Sequence, residues 1–365
     1  MTVGVIFGGR SGEHEVSLMS ATSVVEALDP AKYDIVQIGI THDGRWLSGP
    51  AALPAFKQGQ IEDLQPVALL AEPGRDGLYL SEEGHQLSML RKIDVFFPVL
   101  HGTFGEDGTL QGVFEMAEVA YVGAGVLSSS VAMDKGVFKN LMREHQIPVV
   151  DFIVVLSSHV EENIDECVRR AEATSDYPLF TKPANMGSSV GVSKANDRDQ
   201  LVKGLQLAAK YDRRLLVEQG VDAREIEVSV LGNEEPEASV AGEIVPGAEF
   251  YSYEAKYIDD TSELMIPAPI PEETSKEIRR LAVGAFKAID GAGMARADFL
   301  LEKQTNRIFI NELNTIPGFT KISMYPKLWD ASGLDYSALM DRLIELALER
   351  RAQCDRLVRH YGESE

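Results

Sequence analysis

The chain reads as an α/β protein, with an open parallel sheet first and a mixed region of antiparallel strands after it. Three observations carry that reading. An apolar run at 3–7, a glycine turn at 8–12, helically spaced apolar residues over 16–28 and a second run at 33–40 make a βαβ unit. Such a unit predicts parallel strands and a right-handed crossover. Runs at 215–218, 225–231 and 240–244 read as antiparallel strands, and 295–301 with 307–313 as a hairpin. Finally, 365 residues suffice for two or three domains with real cores.

The elements follow in order. Asp29-Pro30 ends the first helix, because proline disfavours the α region in the residue before it. The stretch 41–92 is Gly/Pro/Glu-rich with short strand-like pieces, and reads as a peripheral insertion. A third strand at 95–100 leads into the loop from His101 to Gly108. A helix at 109–118, a short strand at 121–122 and a helix at 133–146 come next. Strands at 152–156 and 178–182 flank a helix at 160–174, whose acidic start and Arg169-Arg170 near its end complement the macrodipole. Residues 183–191 form a loop of small residues. Helices at 275–289 and 334–359 complete the list, the latter with Tyr336, Leu339, Leu343 and Ala347 on one stripe. No repeat of 20–50 residues is visible.

Composition narrows the function. With 35 Lys+Arg against 57 Asp+Glu, the net charge is −22. Binding nucleic acid requires cations that displace counterions from phosphates, so that role is disfavoured, as is an anionic membrane surface. No apolar run approaches the ~20 residues of a membrane-spanning helix. The N-terminus lacks the basic and apolar regions of a signal peptide. Cys167 and Cys354 are far apart and neither sits in a CxxC, so two reduced thiols and a cytoplasmic location are expected.

Several familiar motifs almost match. Gly187-Ser188-Ser189-Val190-Gly191 fits the hydrolase elbow G-x-S-x-G. That elbow must run from strand into helix, and the residues after it read as strand. It also needs a downstream His, and the only one is His360. Gly123-Ala124-Gly125 is two glycines of a dinucleotide fingerprint, with Ser128 where the third belongs. There is no P-loop, and His14-Glu15 lacks the second histidine of a zinc helix.

A carboxylate group is more informative. Period-2 alternation puts Glu312 and Asn314 on one strand face, and a hairpin could bring Asp298 across from them. Oxygen ligands without His or Cys suit Mg²⁺. A solvated acidic sheet face is an equal alternative on spacing alone. Lys182 ends an apolar strand just before the glycine-serine loop, whose consecutive N–H groups could close over phosphate oxygens. Lys135 opens a helix after Ala132-Met133-Asp134. Singly each lysine is more often a surface residue; with the loop and carboxylates they describe a nucleoside-triphosphate site.

Together these pieces resemble the ATP-grasp superfamily and, within it, the D-alanine–D-alanine ligases. The resemblance runs through Gly8-Gly9-x-Ser11-Gly12-Glu13-His14-Glu15-Val16-Ser17 and His101-Gly102-x-x-Gly105-Glu106-Asp107-Gly108. It continues through Met133-Asp134-Lys135, Lys182-Pro183-Ala184-Asn185-x-Gly187-Ser188-Ser189 and Glu254-Ala255-Lys256-Tyr257. It ends with Ala295-Arg296-x-Asp298-Phe299 and Asn311-Glu312-x-Asn314-Thr315-x-Pro317-Gly318. The fold implied is ATP-grasp preceded by an open parallel-sheet, Rossmann-like N-terminal domain. The divisions expected are 1–132 for the N-terminal substrate domain, 133–217 for a central lid and 218–365 for the C-terminal domain.

The resemblance implies ATP-dependent joining of two D-alanines through an acyl phosphate, for peptidoglycan precursor synthesis. The alternative is a D-alanyl-D-lactate ligase or another ATP-grasp carboxylate–amine ligase. A non-catalytic nucleotide sensor is the rival from another class. By resemblance, Lys135, Lys182, Ser189 and Lys256 hold ATP phosphates, and Ser188 sits in the closing loop. Glu218, Gln219 and Val221 lie at the adenine, and Glu225 at the ribose. Asp298, Glu312 and Asn314 hold two Mg²⁺ or Mn²⁺. Glu15 pairs with the ammonium of the first D-alanine, and His101 lies beside it and assists proton movement. Arg296 and the Gly318 N–H stabilise developing negative charge, and Ser323 binds the second carboxylate. Tyr257 goes with a peptide product, where relatives making the D-lactate ester carry Phe. Some members have Glu at the position of Met186, completing a Glu–Ser–Tyr lock, so the lock's acid is open here. Loops 183–191 and 247–266 are expected to close over the substrates, and a homodimer is expected.

Overall fold

The computed structural model describes residues 1–81, 87–245 and 263–358; Lys256, Tyr257 and His360 lie outside the described residues. Strand β1 (Thr2–Gly8), helix α1 (His14–Ala27) and strand β2 (Asp34–Ile40) form the expected βαβ unit, with β1 and β2 parallel. The turn after β1 requires glycine. Gly8 has φ +88°, and a Cβ there would stand 2.3 Å from the Ile40 carbonyl oxygen.

Segment 41–92 departs from expectation. It contains β3 (Trp46–Ser48), α2 (Ala52–Gln58), β4 (Gln65–Leu69), β5 (Gly77–Ser81) and β6 (Leu87–Lys92), followed by β7 (Val95–Pro98). All seven strands form one sheet in the order β6-β5-β4-β3-β2-β1-β7. Only β1, β2 and β7 are parallel; β3 to β6 extend the sheet antiparallel. The segment is therefore structural. It sends α2 into the core, where Phe56 meets Phe7 edge-on at 5.5 Å. Strands as short as three residues, broken by Gly and Pro, leave little alternation to read.

Helix α3 (Thr109–Ala117) is followed by α4 (Val126–Met133) and α5 (Lys135–Glu144). The single helix expected over 133–146 thus starts later, with a separate helix before it. Asp134 is extended between them and caps α5, its carboxylate accepting from the N–H of Gly136 and Val137 at 3.0 Å each.

A second sheet contains β8 (Phe152–Leu156), β9 (Leu179–Pro183), β10 (Ser193–Ala195) and β11 (Arg214–Gln219), antiparallel in the order β10-β9-β11-β8. Helices α6 (Ser157–Glu172) and α7 (Arg198–Ala208) cover one face, with Val168, Leu201 and Leu205 against Val155, Leu179 and Leu215. The boundary expected at 217 falls inside β11, so this sheet ends at Gln219.

The third sheet contains β12 (Ala223–Gly232), β13 (Glu237–Val245), β14 (Glu263–Met265), β15 (Gly293–Glu302) and β16 (Ile308–Asn314), in the order β14-β13-β12-β15-β16, all antiparallel. Helix α8 (Glu272–Ala288) covers one face with Ile278, Leu281, Ala285 and Phe286. Helices α9 (Met324–Ala331) and α10 (Tyr336–Asp355) close the chain. Helix α10 returns to the first sheet: Leu339, Met340 and Leu343 share a core with Val3, Val5 and Phe97. The first and last segments are thereby packed together, which fixes the third sheet against the first.

Candidate active site

The site begins with the alternation of three adjacent strands. On β12, Ile226, Val228 and Val230 face the α8 core, which leaves Glu225, Glu227 and Ser229 on the other face. On β15, Ala295, Ala297 and Phe299 face the core and leave Arg296 and Asp298 opposite. Register then sets Asp298 across from both Glu227 and Glu312, and Arg296 across from Asn314. The hairpin expectation for Asp298, Glu312 and Asn314 is met.

Arg296 is gripped by two carboxylates. Its Nε and Nη2 each donate to Asp298 at 2.7 Å, and Glu227 stands 3.0 Å from Nε. The Asn314 amide donates to the same Asp298 at 2.9 Å. Burial alone would lower the guanidinium's pKa; Asp298 and Glu227 more than reverse that and hold it well above its ordinary value.

The lysines face this sheet from the second domain and the helix beside it. Lys135 donates to the Met186 carbonyl at 2.9 Å and stands 3.4 Å from Glu312. Lys182 lies 2.5 Å from Glu218 and 3.5 Å from Asn311 Oδ1. Glu218 has a second ammonium partner that sequence reasoning missed. Lys139, wholly buried, places Nζ 3.3 Å from the other Glu218 oxygen. Burial, with Lys182 nearby, pushes Lys139 down to about 8 despite Glu218. Burial would raise Glu218, but the two ammoniums hold it below the usual carboxylate range. One cue was available: Lys135 and Lys139 are four residues apart on one helix, hence on one face.

The glycine-serine loop supplies a third wall. Ser188 and Ser189 have φ of 47° and 59°, the left-handed region that non-glycine residues enter rarely. This bend aims the Ser188 hydroxyl at Glu13, and it donates to Oε1. Gly187 lies beneath that contact: a Cβ there would stand 2.8 Å from Glu13 Oε2, so the Glu13 carboxylate would have to shift. The expectation for Glu15 is corrected here. Glu13 lines the cavity, together with His101, Lys135, Ser188, Arg296 and Gly318, whereas Glu15 is exposed on α1 and does not. The two residues flank His14, and the helix sends them to different sides. Glu13 also supplies the acid left open at Met186: it reaches the loop from the first domain.

His101 is buried, and both ring nitrogens are engaged. Nδ1 donates to the Ile316 carbonyl at 3.0 Å, so Nε2 accepts from Ser20 Oγ at 3.0 Å. Burial lowers its pKa, against the pull of Glu13. The ring thereby links helix α1 to the loop after β16, and it also lines the cavity. Glu106, unremarked in the sequence beyond its motif, reaches the same loop. It accepts from the N–H of Gly102 at 2.7 Å and of Ile316 at 3.1 Å. Burial, then Glu13, raises its pKa to about 8.

Ser189, Ser323, Gln219, Val221 and Glu225 are not among the residues that line this cavity. Ser323 is half-buried at the start of α9, its Oγ 2.7 Å from Thr320 Oγ1 and 2.9 Å from where a Gly318 Cβ would be. Gln219 and Val221 lie at the crossing from β11 to β12, with the Gln219 N–H donating to the Asp151 carbonyl at 2.9 Å. Glu225 follows on β12, on the polar face. Ser189 follows Ser188 in the loop. Lys256 and Tyr257 lie outside the described residues.

Comparison with known proteins agrees with this arrangement. A family model described as D-ala D-ala ligase N-terminus matches residues 2–124, and one described as D-ala D-ala ligase C-terminus matches 141–345. A D-alanine--D-alanine ligase of a Thermoanaerobacter species is 51% identical over 349 residues, covering 95% of this chain and 96% of that one. The one from Heliobacterium modesticaldum is 50% identical, covering 96% and 95%. Among solved structures, the D-alanine-D-alanine ligase from Coxiella burnetii superposes with a TM-score of 0.83 at 36% identity, covering 98% of this chain and 97% of that chain. The VanG D-Ala:D-Ser ligase from Enterococcus faecalis gives 0.84 at 36%, covering 95% and 99%. With both halves matched and half the residues identical across nearly the whole length, the chain belongs to the D-alanine–D-alanine ligase family.

Proposed function

We propose that this chain joins two D-alanines into D-alanyl-D-alanine with consumption of ATP, in the cytoplasm, for peptidoglycan precursors. One observation carries the reading: a single cavity is lined by Glu13 from the first domain, Lys135 beside the second and Arg296 from the third. A carboxylate suits an amino acid's ammonium, a lysine a phosphate, and a fixed guanidinium the anion that develops when a carboxyl group is attacked.

In this reading a carboxylate oxygen of the first D-alanine attacks the γ-phosphorus of ATP. The phosphorus–oxygen bond to ADP breaks and an acyl phosphate forms. The free amine of the second D-alanine then attacks the carbonyl carbon, and the tetrahedral adduct collapses with loss of phosphate and an amine proton. Glu13 holds the first ammonium and, through Ser188, the glycine-serine loop. Arg296, aided by the Gly318 N–H, faces the developing oxyanion. Ser323 binds the second carboxylate. His101 positions the loops rather than exchanging protons. Lys135, Lys182, Ser189 and Lys256 hold phosphates; Glu218, Gln219, Val221 and Glu225 take adenosine.

Asp298, Glu312 and Asn314 are a hard oxygen set with no sulfur or imidazole among them, which fits Mg²⁺ or Mn²⁺. They would hold two such ions, whose chemistry is to neutralise phosphate oxygens. Closure over the acyl phosphate excludes water, which would hydrolyse it. By family resemblance the enzyme is a homodimer.

The test is phosphate release with ATP and D-alanine, repeated with D-serine and with D-lactate over a pH series. Release with D-alanine alone, and dipeptide as product, is expected; Tyr257 favours the peptide over the D-lactate ester. Ester formation or a preference for D-serine would reassign the second subsite. No release with any amino acid would leave a nucleotide sensor.

A further inference from the structure

Glu15 has left the catalytic cavity, and its surroundings are informative. It lies beside His14 and His42, and one ligand atom from each of the three falls within 4.8 Å of the others. The two imidazole rings stack, centroids 3.8 Å apart and planes at 25°. His14 and Glu15 lacked the second histidine of a zinc helix; the turn after β2 brings one from outside the helix. We propose that His14, Glu15 and His42 form a site for a divalent transition-metal ion, Zn²⁺ foremost, separate from the carboxylates of the nucleotide cleft.

Donor chemistry selects the ion. Two imidazoles and one carboxylate match zinc sites of the two-His, one-carboxylate kind, whereas Mg²⁺ prefers oxygen alone. His14 is prepared for ligation. It is buried, and its Nδ1 donates to the Gly9 carbonyl at 2.9 Å, which fixes the tautomer and leaves the Nε2 lone pair free for a metal. Phe56 lies along the same ring at 6.3 Å and further limits its rotation.

The other two ligands can adapt. Glu15 and His42 are exposed, so their side chains can rotate without disturbing a core. Some rotation is necessary, because imidazole lone pairs lie in the ring plane and a stacked pair does not converge on one point. Ligand bonds of about 2.0–2.2 Å also require donors closer than 4.8 Å. The backbone carrying His42 is fixed: the Thr41 N–H donates to the Arg45 carbonyl and the Arg45 N–H to Thr41 Oγ1, both at 2.9 Å. Asp43 is engaged by Thr41 and Arg45 and does not compete. An ion here would tie the start of α1 to the β2–β3 turn, one residue from Glu13.

Zinc titration by calorimetry, with excess Mg²⁺ and ADP occupying the nucleotide cleft, tests this. One Zn²⁺ per chain is expected, with a rise in melting temperature. His42→Ala and Glu15→Gln should each weaken binding by at least about tenfold, the loss that removing even a supporting group causes. Substitution with Co²⁺ should give visible absorption in the parent protein that His42→Ala lacks. Ligase turnover without zinc is unchanged in His42→Ala. Absence of stoichiometric zinc binding, or equal affinity in both variants, overturns the proposal.

Discussion

The polar face of the third sheet and the corner where Glu13 meets Ser188 serve one cavity and are built in opposite ways. The sheet face is held by its own ladder: Arg296, Asp298 and Asn314 bond one another from paired strands, at distances between 2.7 and 2.9 Å. The corner is joined by a side-chain contact between residues 175 apart, on a loop with two consecutive left-handed serines. A ladder keeps its charges in place whether or not substrate is present. A loop whose described tie to the turn after β1 is one hydroxyl, beside the Lys135 contact to the Met186 carbonyl, can release that tie. In the proposed reaction the chemistry of charge falls to the sheet and the admission of substrate to the corner.

Breaking the sheet side should cost most. Arg296→Ala is expected to lower kcat by about 10²–10³-fold, the loss typical of one oxyanion donor, with ATP affinity changed little. Stopped-flow phosphate release and nucleotide binding, measured separately, check this. Equal losses in both would assign Arg296 to nucleotide binding, and the sheet would lose its catalytic role in the comparison.

The corner is tested by the pair Glu13→Gln and Glu15→Gln. A charged hydrogen bond contributes roughly 1.5–3 kcal/mol, so Glu13→Gln should lower kcat/KM for the first D-alanine by about 10–100-fold. Glu15→Gln should leave it near the parent value. A reversed result would restore Glu15 and undo the structural assignment.

That pair also marks where the sequence was legible. Strand alternation put Glu312 and Asn314 on one face and a hairpin brought Asp298 to them, because period 2 is a rigid rule once the strands are found. The family motif contains both Glu13 and Glu15, and no periodicity separates them at a turn entering a helix. Only the path of the chain decides which faces the cavity. Lys139 was missed for a related reason. A lysine on a helix defaults to solvent, and its burial depends on Glu218, which lies 79 positions further on. Segment 41–92 was underestimated because strands of three to six residues carry too little alternation to reveal a sheet.

Between the two regions stands Lys182, which Glu218 holds in this structure although it is expected at phosphate. For Lys182 to turn, Glu218 must keep another counter-charge, or a buried carboxylate is stranded at considerable cost. Lys139 supplies it at 3.3 Å. Lys139→Met should therefore leave Lys182 held at Glu218 and weaken ATP binding by about tenfold, equivalent to about 1.4 kcal/mol. Nucleotide titration checks it, with Lys139→Arg as a charge-preserving control. Unchanged ATP affinity in Lys139→Met would mean that Lys182 leaves Glu218 unaided.

The smallest effect concerns the clamp that keeps sheet and corner in one cavity. Glu106 accepts backbone N–H groups from Gly102 in the first domain and Ile316 in the third. Folding raises its pKa from 4.5 to about 8. Between those values the folded chain retains a proton that the unfolded chain has released. Stability from this group is therefore complete below 4.5 and declines as pH rises through about 8. Urea midpoints measured from pH 5 to 9 should fall with rising pH by more in the parent than in Glu106→Gln, which cannot ionise. Gln offers only one acceptor oxygen for two N–H groups, so the variant starts from lower stability, but its midpoint should lack that group's slope. Identical slopes would mean that Glu106 ionises without consequence, and that His101 alone, through Ile316 and Ser20, joins the two domains at this point.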